Sequence, residues 1–137
     1  MSAIYEALEK GILISDGAMG TMLQSKGLTD GGAPELWNVE NPEAIEEVLE
    51  QNAAAGANLI TTNTFGGTPL VLDEYQLGKK AHEINFTAAQ LAKHLALKYS
   101  TPYKPRFVAG SMGPTTKAIS VTGGVTFAQL VETFYVQ

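Results

Sequence analysis

Three times along this chain a short apolar run stops in a polar, glycine-rich stretch. Ile12-Leu13-Ile14 runs into Ser15-Asp16-Gly17-Ala18-Met19-Gly20-Thr21. Ala57 to Ile60 runs into Thr61-Thr62-Asn63-Thr64-Phe65-Gly66-Gly67, and Phe107-Val108-Ala109 into Gly110-Ser111-Met112-Gly113-Pro114-Thr115-Thr116. Such runs read as buried strands that end in tight loops. Sequence of helical period lies between them. Asn41-Pro42-Glu43 supplies a cap, a first-turn proline and an acid at the positive end of the helix dipole. Ala44, Ile45, Val48, Leu49 and Ala53 form its apolar stripe, and Gly56 ends it. Ala81, Ile84, Ala88, Leu91, Ala92 and Leu95 predict a second helix over about 80–98. A short helix capped by Ser2 precedes the first run, and Thr126 to Gln137 reads as a helix cut short. Met22 to Ala33 reads as loop, Pro34-Glu35-Leu36-Trp37-Asn38 as a compact apolar knot, and Thr68 to Leu77 as a short helix or loop.

Strand and helix therefore alternate, which demands parallel strands joined by right-handed crossovers. The strand-end loops are long and gather on one face, as suits a (β/α) barrel that carries function there. Such a barrel closes with eight strands. The expectation is an α/β chain: either an open sheet or a partial (β/α)8 TIM-type barrel of about three βα units. Residues 1–137 are then the amino-terminal part of one domain.

Composition narrows the function classes. A chain that is 45% hydrophobic and 17% charged is globular. A net charge of -5 with scattered Lys and Arg disfavours a nucleic-acid surface. Without cysteine there is no disulfide frame and no thiolate metal site within the chain. The start lacks the basic and apolar regions of a signal peptide, and no apolar run approaches a membrane span. A cytoplasmic protein is expected.

The glycine loops are not familiar phosphate binders. Gly17-Ala18-Met19-Gly20 lacks the dinucleotide spacing and no Gly-Lys-Ser/Thr follows it. As a G-x-x-G clamp for RNA it is disfavoured by the adjacent Asp16, which repels phosphate. Gly110-Ser111-Met112-Gly113 is not a nucleophile elbow. Asp16 beside the amides of Gly17, Ala18 and Met19 instead suits a zwitterion, with ammonium on the carboxylate and carboxylate on the amides. The same Asp also reads as a turn residue bonded to its own backbone. Asn63 either orients a ligand or ties one loop to the next. His82 and His94 share one helix without zinc-pair spacing and read as surface or capping residues. Met19, Met22 and Met112 read as packing, Trp37 as a loop anchor or an aromatic cover for a ligand near the mouth, and Glu46, Glu47 and Glu50 as a solvated helix face.

Taken together, these stretches resemble the homocysteine S-methyltransferase family, closest to the homocysteine-binding module of its cobalamin-dependent methionine synthase branch. The resemblance rests on Asp16-Gly17-Ala18-Met19-Gly20-Thr21, Pro34-Glu35-Leu36-Trp37-Asn38, Ala55 to Gly66, Glu83-Ile84-Asn85-Phe86 and Val108 to Thr115, all in order and spacing. It implies methyl transfer to the thiolate of homocysteine held on zinc by three cysteines, giving methionine. In the cobalamin-dependent branch the methyl comes from methylcobalamin recharged from methyltetrahydrofolate, on separate cobalamin- and folate-binding modules. It implies that Asp16 takes the substrate ammonium and that Gly17, Ala18 and Met19 cradle its carboxylate. Asn63 and Ser111 are further substrate-binding candidates. The family's zinc cysteines and a further substrate-binding Glu belong to later strands, which this chain lacks. The resemblance therefore implies zinc and cobalamin in an intact parent, with no cofactor bound and no catalytic residue carried by these residues alone, and possible self-association of the fragment. Two alternatives stand beside it: a non-catalytic half-barrel used for binding or assembly, and a related thiol methyltransferase with another methyl donor.

Overall fold

The computed structural model describes residues 3–29, 31–119 and 123–137. Ser2, the expected first cap, lies outside them. Helix α1 (Ala3–Lys10) is followed by the Ile12–Ile14 run, then by α2 (Met19–Ser25), α3 (Trp37–Glu40), α4 (Pro42–Ala55), strand β1 (Leu59–Thr61), α5 (Pro69–Leu72), α6 (Ala81–Tyr99), strand β2 (Phe107–Ala109) and α7 (Phe127–Val136). β1 and β2 are parallel, with Leu59 opposite Phe107 and Thr61 opposite Ala109. The long crossover between them carries α6, as parallel pairing requires.

The first apolar run does not form a full strand. It touches β1 at a single parallel bridge, Ser15 to Leu59. The reason is local. Ile14 N–H donates to the Asn58 side chain at 3.2 Å, where a ladder would offer a backbone carbonyl. Ile14 C=O accepts from both Asn58 N and Leu59 N, so two residues face one. The run is also not buried: Ile12 is 92% exposed and Ile14 59%. The same Asn58 delays the second strand, which begins at Leu59 rather than Ala57.

Helix α2 replaces part of the expected Met22–Ala33 loop. Ala18 takes a left-handed φ of 57° and turns the chain into it. Leu23 is then buried, with Met19 and Met22 against the same core, an i, i+3, i+4 set hidden between glycines. The Pro34–Asn38 knot is a 3-10 turn running into α3. Asn41 sits at the start of α4 without the expected side-chain cap bond, whereas Gly56 ends that helix at φ 116°. Thr68 caps α5, and Thr126 with Gln129 makes a reciprocal capping box on α7.

The main core lies between α2, α4, α6 and β1. Leu23, Ile45, Val48, Leu49, Ala53, Ile60, Ala92 and Leu95 fill it, with Trp37 packed against them. The alanines of α6 let it approach α4 closely. At the rim of this contact Glu50 of α4 accepts from Lys98 at 2.5 Å and from the Tyr99 hydroxyl at 2.8 Å. The Lys98 hydrogen bond, then that of Tyr99, holds the Glu50 carboxyl below its ordinary range. Glu47 pairs with Lys26 of the turn after α2.

Gly67 is the tightest backbone approach in the loop after β1. A Cβ there would lie 2.9 Å from Thr64 O and closer still to Asn85 Oδ1. The buried Asn85 amide donates to Gly67 O at 2.7 Å and to Ala81 O at 2.7 Å, so it cannot swing aside without losing both. Gly67→Ala is therefore expected to destabilise the fold by about 1–3 kcal/mol, read as a lower urea midpoint at unchanged slope.

Candidate functional site

The C-terminal ends of the parallel segments converge on a cavity of about 370 Å³. Asp16, Gly17, Ala18, Met19, Asn63 and Ser111 all line it. They come from three separate strand-end loops, so the fold assembles the residues that the sequence singled out. Pro34, Glu35, Thr61, Thr62, Thr64 and Phe65 complete most of the wall. The size suits an amino acid or similar small ligand.

Asp16 does not bond its own turn. Its carboxylate reaches across to β1, where Oδ2 accepts from Thr61 N–H at 2.8 Å and Oδ1 accepts from the Thr61 hydroxyl. A carboxylate has about four acceptor positions, so Thr61 fixes the group and leaves the others for a ligand. The turn that follows carries unused donors. The N–H groups of Gly17, Ala18 and Met19 find no acceptor among the described residues. Asn52 of α4 steadies the turn from outside by donating to Gly17 O at 3.5 Å.

Asn63 is a tie between loops. Its amide donates to Pro34 O at 2.8 Å and to Asn38 Oδ1 at 3.1 Å, and the fully buried Asn38 donates back to Asn63 O at 2.8 Å. Both donors of Asn63 are spent in this way, which leaves only its oxygen for a ligand. Ser111 presents a hydroxyl that bonds none of the described residues, while its backbone is held by Thr62 and Thr64 of the loop after β1.

Glu35 and Thr61 are among the wall residues whose roles the sequence does not reveal. Glu35 is buried within the apolar knot and accepts from Gly66 N–H at 2.6 Å through Oε1. It ties the two loops and places a second carboxylate on the cavity. Thr61 escaped because a strand-end threonine has no pattern of its own; only the parallel approach of the first segment to β1, with Ser15 beside Leu59, brings it to the Asp16 carboxylate. The wall thus holds two carboxylates and no basic side chain. It favours a positively charged group at one point and offers neutral amide donors at another.

The remaining candidates fall away from the cavity. His82 and His94 are exposed on α6, His82 stacking on Phe86 with ring centroids 6.0 Å apart. Met112, expected to pack, is 61% exposed, because the loop after β2 turns it outward. The donor set does not fit zinc: no cysteine exists in the chain, and the described residues include no group of three His, Asp or Glu side chains placed to hold a metal. No helix among them is long and apolar enough to cross a membrane.

Fold and cavity together define a parallel α/β chain with a ligand cleft at its strand ends. The chain belongs to the homocysteine S-methyltransferase family, whose model matches residues 13–137. It is 35% identical over 120 residues to the methionine synthase of Mycobacterium leprae (strain TN), covering 83% of this chain and 10% of that protein. Among solved structures it is similar to the homocysteine methyltransferase MmuM from Escherichia coli. The metallated form matches at TM-score 0.73 and 29% identity, over 82% of this chain and 42% of that one. The oxidized form matches at TM-score 0.71 and 30% identity, over 83% and 41%. The chain thus spans about a tenth of the curated relative and about two fifths of the structural ones.

Proposed function

We propose that this chain is the amino-terminal part of a homocysteine-binding (β/α) barrel, about its first three βα units, in a cytoplasmic methyltransferase that makes methionine from homocysteine. The observation that carries this reading is the single cavity formed by Asp16, the free amides after it, Asn63 and Ser111. Asp16, fixed by Thr61, takes the ammonium of homocysteine. The amides of Gly17, Ala18 and Met19 take its carboxylate, and Ser111 and the Asn63 oxygen fill the remaining polar positions. The thiol then points away from this wall, toward residues that the chain does not supply.

The chain's own donors do not fit zinc, and a cavity of about 370 Å³ does not fit a corrin. In this reading both groups belong to other parts of a longer protein. The methyl group comes from methylcobalamin, first charged by methyltetrahydrofolate, on separate modules. The extended Thr62-Asn63-Thr64-Phe65-Gly66-Gly67 loop favours that donor over another.

Two measurements test the reading. Homocysteine titrated into the isotope-labelled chain is expected to shift the amide signals of Gly17, Ala18 and Met19, whereas ethanethiol, which lacks the amino-acid end, leaves them in place. No shift with homocysteine would overturn the assignment. The chain alone is expected to show no methyl transfer above background. Without a metal the thiol stays near its unperturbed pKa of about 8.5 and is mostly protonated at neutral pH. Turnover by these 137 residues would contradict the division of the site.

A further inference from the structure

The loop after β2 is held to the end of β1 by a closed ring of hydrogen bonds. Ser111 N–H donates to Thr62 Oγ1 at 3.0 Å. Thr64 Oγ1 donates to Ser111 O at 2.8 Å. The two threonine hydroxyls lie 2.7 Å apart. Proton bookkeeping fixes the direction. A carbonyl only accepts, so the single Thr64 hydroxyl proton is spent on Ser111 O. Thr62 must then donate to Thr64, and its free lone pair takes the Ser111 N–H. Every donor in the ring is used once. Both threonines are buried, at 6% and 5% exposure, so water does not compete for these bonds.

A tight turn centred on Asn63, closed by Thr64 N–H donating to Thr62 O at 3.0 Å, sets the arrangement. The Thr62 and Thr64 hydroxyls meet the loop after β2, while the Asn63 amide between them meets the Pro34 loop. Phe65 continues the seam, its carbonyl accepting from Gly113 N–H at 2.9 Å. The result is that Ser111 is clamped by its N–H and by its C=O, the latter shared with the Gln137 amide at 3.3 Å, and its hydroxyl, which bonds none of the described residues, is left for a ligand.

We infer that Thr62 and Thr64 are positioning residues: their hydroxyl ring sets the Ser111 backbone and so aims the Ser111 hydroxyl at the polar end of the amino-acid ligand. This rests on the reading of the cavity given above, because neither threonine hydroxyl has a proton left for a ligand. The ring makes the loop after β2 a part of the binding wall rather than a free connector.

The test combines amide hydrogen exchange at Ser111 with homocysteine titration on the same labelled chain. Thr62→Val keeps the shape and removes the acceptor. It is expected to speed exchange of the Ser111 amide by about tenfold and to weaken homocysteine binding by a similar factor, the size of one buried hydrogen bond. Thr62→Ser restores the hydroxyl and is expected to restore both values, which a purely steric role would not predict. Thr62→Ala serves where the valine variant does not fold, and Thr64→Val, which removes the donor to Ser111 O, reads the other side of the ring through homocysteine affinity. Unchanged Ser111 exchange in Thr62→Val or Thr62→Ala, which remove the acceptor of its N–H, overturns the clamp. Faster exchange with affinity within about twofold of wild type overturns the positioning role. Failure of the wild-type chain to bind homocysteine at all sinks the ligand assignment instead, and the exchange data still decide the clamp.

Discussion

Asp16→Asn is expected to weaken homocysteine binding by about ten- to a hundredfold with the fold retained. The substitution is a clean one here because of Thr61. In the wild type Thr61 donates both its N–H and its hydroxyl to the carboxylate. In the variant the asparagine oxygen keeps the Thr61 N–H, and the Thr61 hydroxyl reverses to accept from the new amide. The side chain therefore stays in place while its charge is lost. Hydrogen bonds to charged groups contribute about 1.5–3 kcal/mol, and each 1.4 kcal/mol is a factor of ten in affinity. Calorimetry in an intact barrel carrying these residues would measure it, with metal content determined alongside. Thr61→Val provides the control: the charge survives, one fixing bond is lost, and the affinity is expected to fall by less than in the asparagine variant. Equal affinity of Asp16→Asn and wild type would leave Asp16 as a residue that only joins the first segment to β1.

The cavity was more legible in the sequence than the strands were. Each strand-end loop announced itself by small polar residues and glycine after an apolar run, and those loops are what the cavity is made of. The strands themselves depend on pairing, which one side chain can spoil. Asn58 replaces a backbone rung toward Ile14, and nothing in a run of apolar letters reveals that. Helix α2 was hidden for a related reason. Gly17 and Gly20 flank its start and read as loop, yet the left-handed turn falls on Ala18, after which Met19, Met22 and Leu23 face α4. Long periodic helices such as α6 were plain, since their apolar stripe outweighs any local exception. The roles of Glu35, Thr61, Thr62 and Thr64 were not legible at all. Each acts on a residue more than thirty positions away or in another loop, so only register brings partner to partner.

Prepared as these 137 residues, the chain is expected to self-associate at micromolar concentration. The sheet is covered on one face only. Ile60 is fully buried against the helices, while Leu59 and Thr61 on either side of it point the other way and stay partly open. Ile12 and Ile14 continue that open side into solvent. Parallel strands are normally covered on both faces, which is why runs of this kind are apolar throughout. β2 adds a free edge, since it pairs with β1 alone among the described residues. On the outer side Phe86 and Leu97 of α6 flank a shallow apolar hollow with Val108, and Tyr135 of α7 stands 90% exposed. Patches beyond a few hundred Å² on one small surface tend to find partners. Face-to-face packing of two such sheets, or edge pairing through β2, would remove the largest of them from water. Sedimentation velocity is expected to show a dimer or larger species. Replacing Ile12 and Ile14 together by lysine is expected to shift the distribution toward monomer without loss of helix content, because neither side chain belongs to the core. A wild-type chain that sediments as a compact monomer and melts in one cooperative step would show that the open face needs no cover, and would count against the partial-barrel reading.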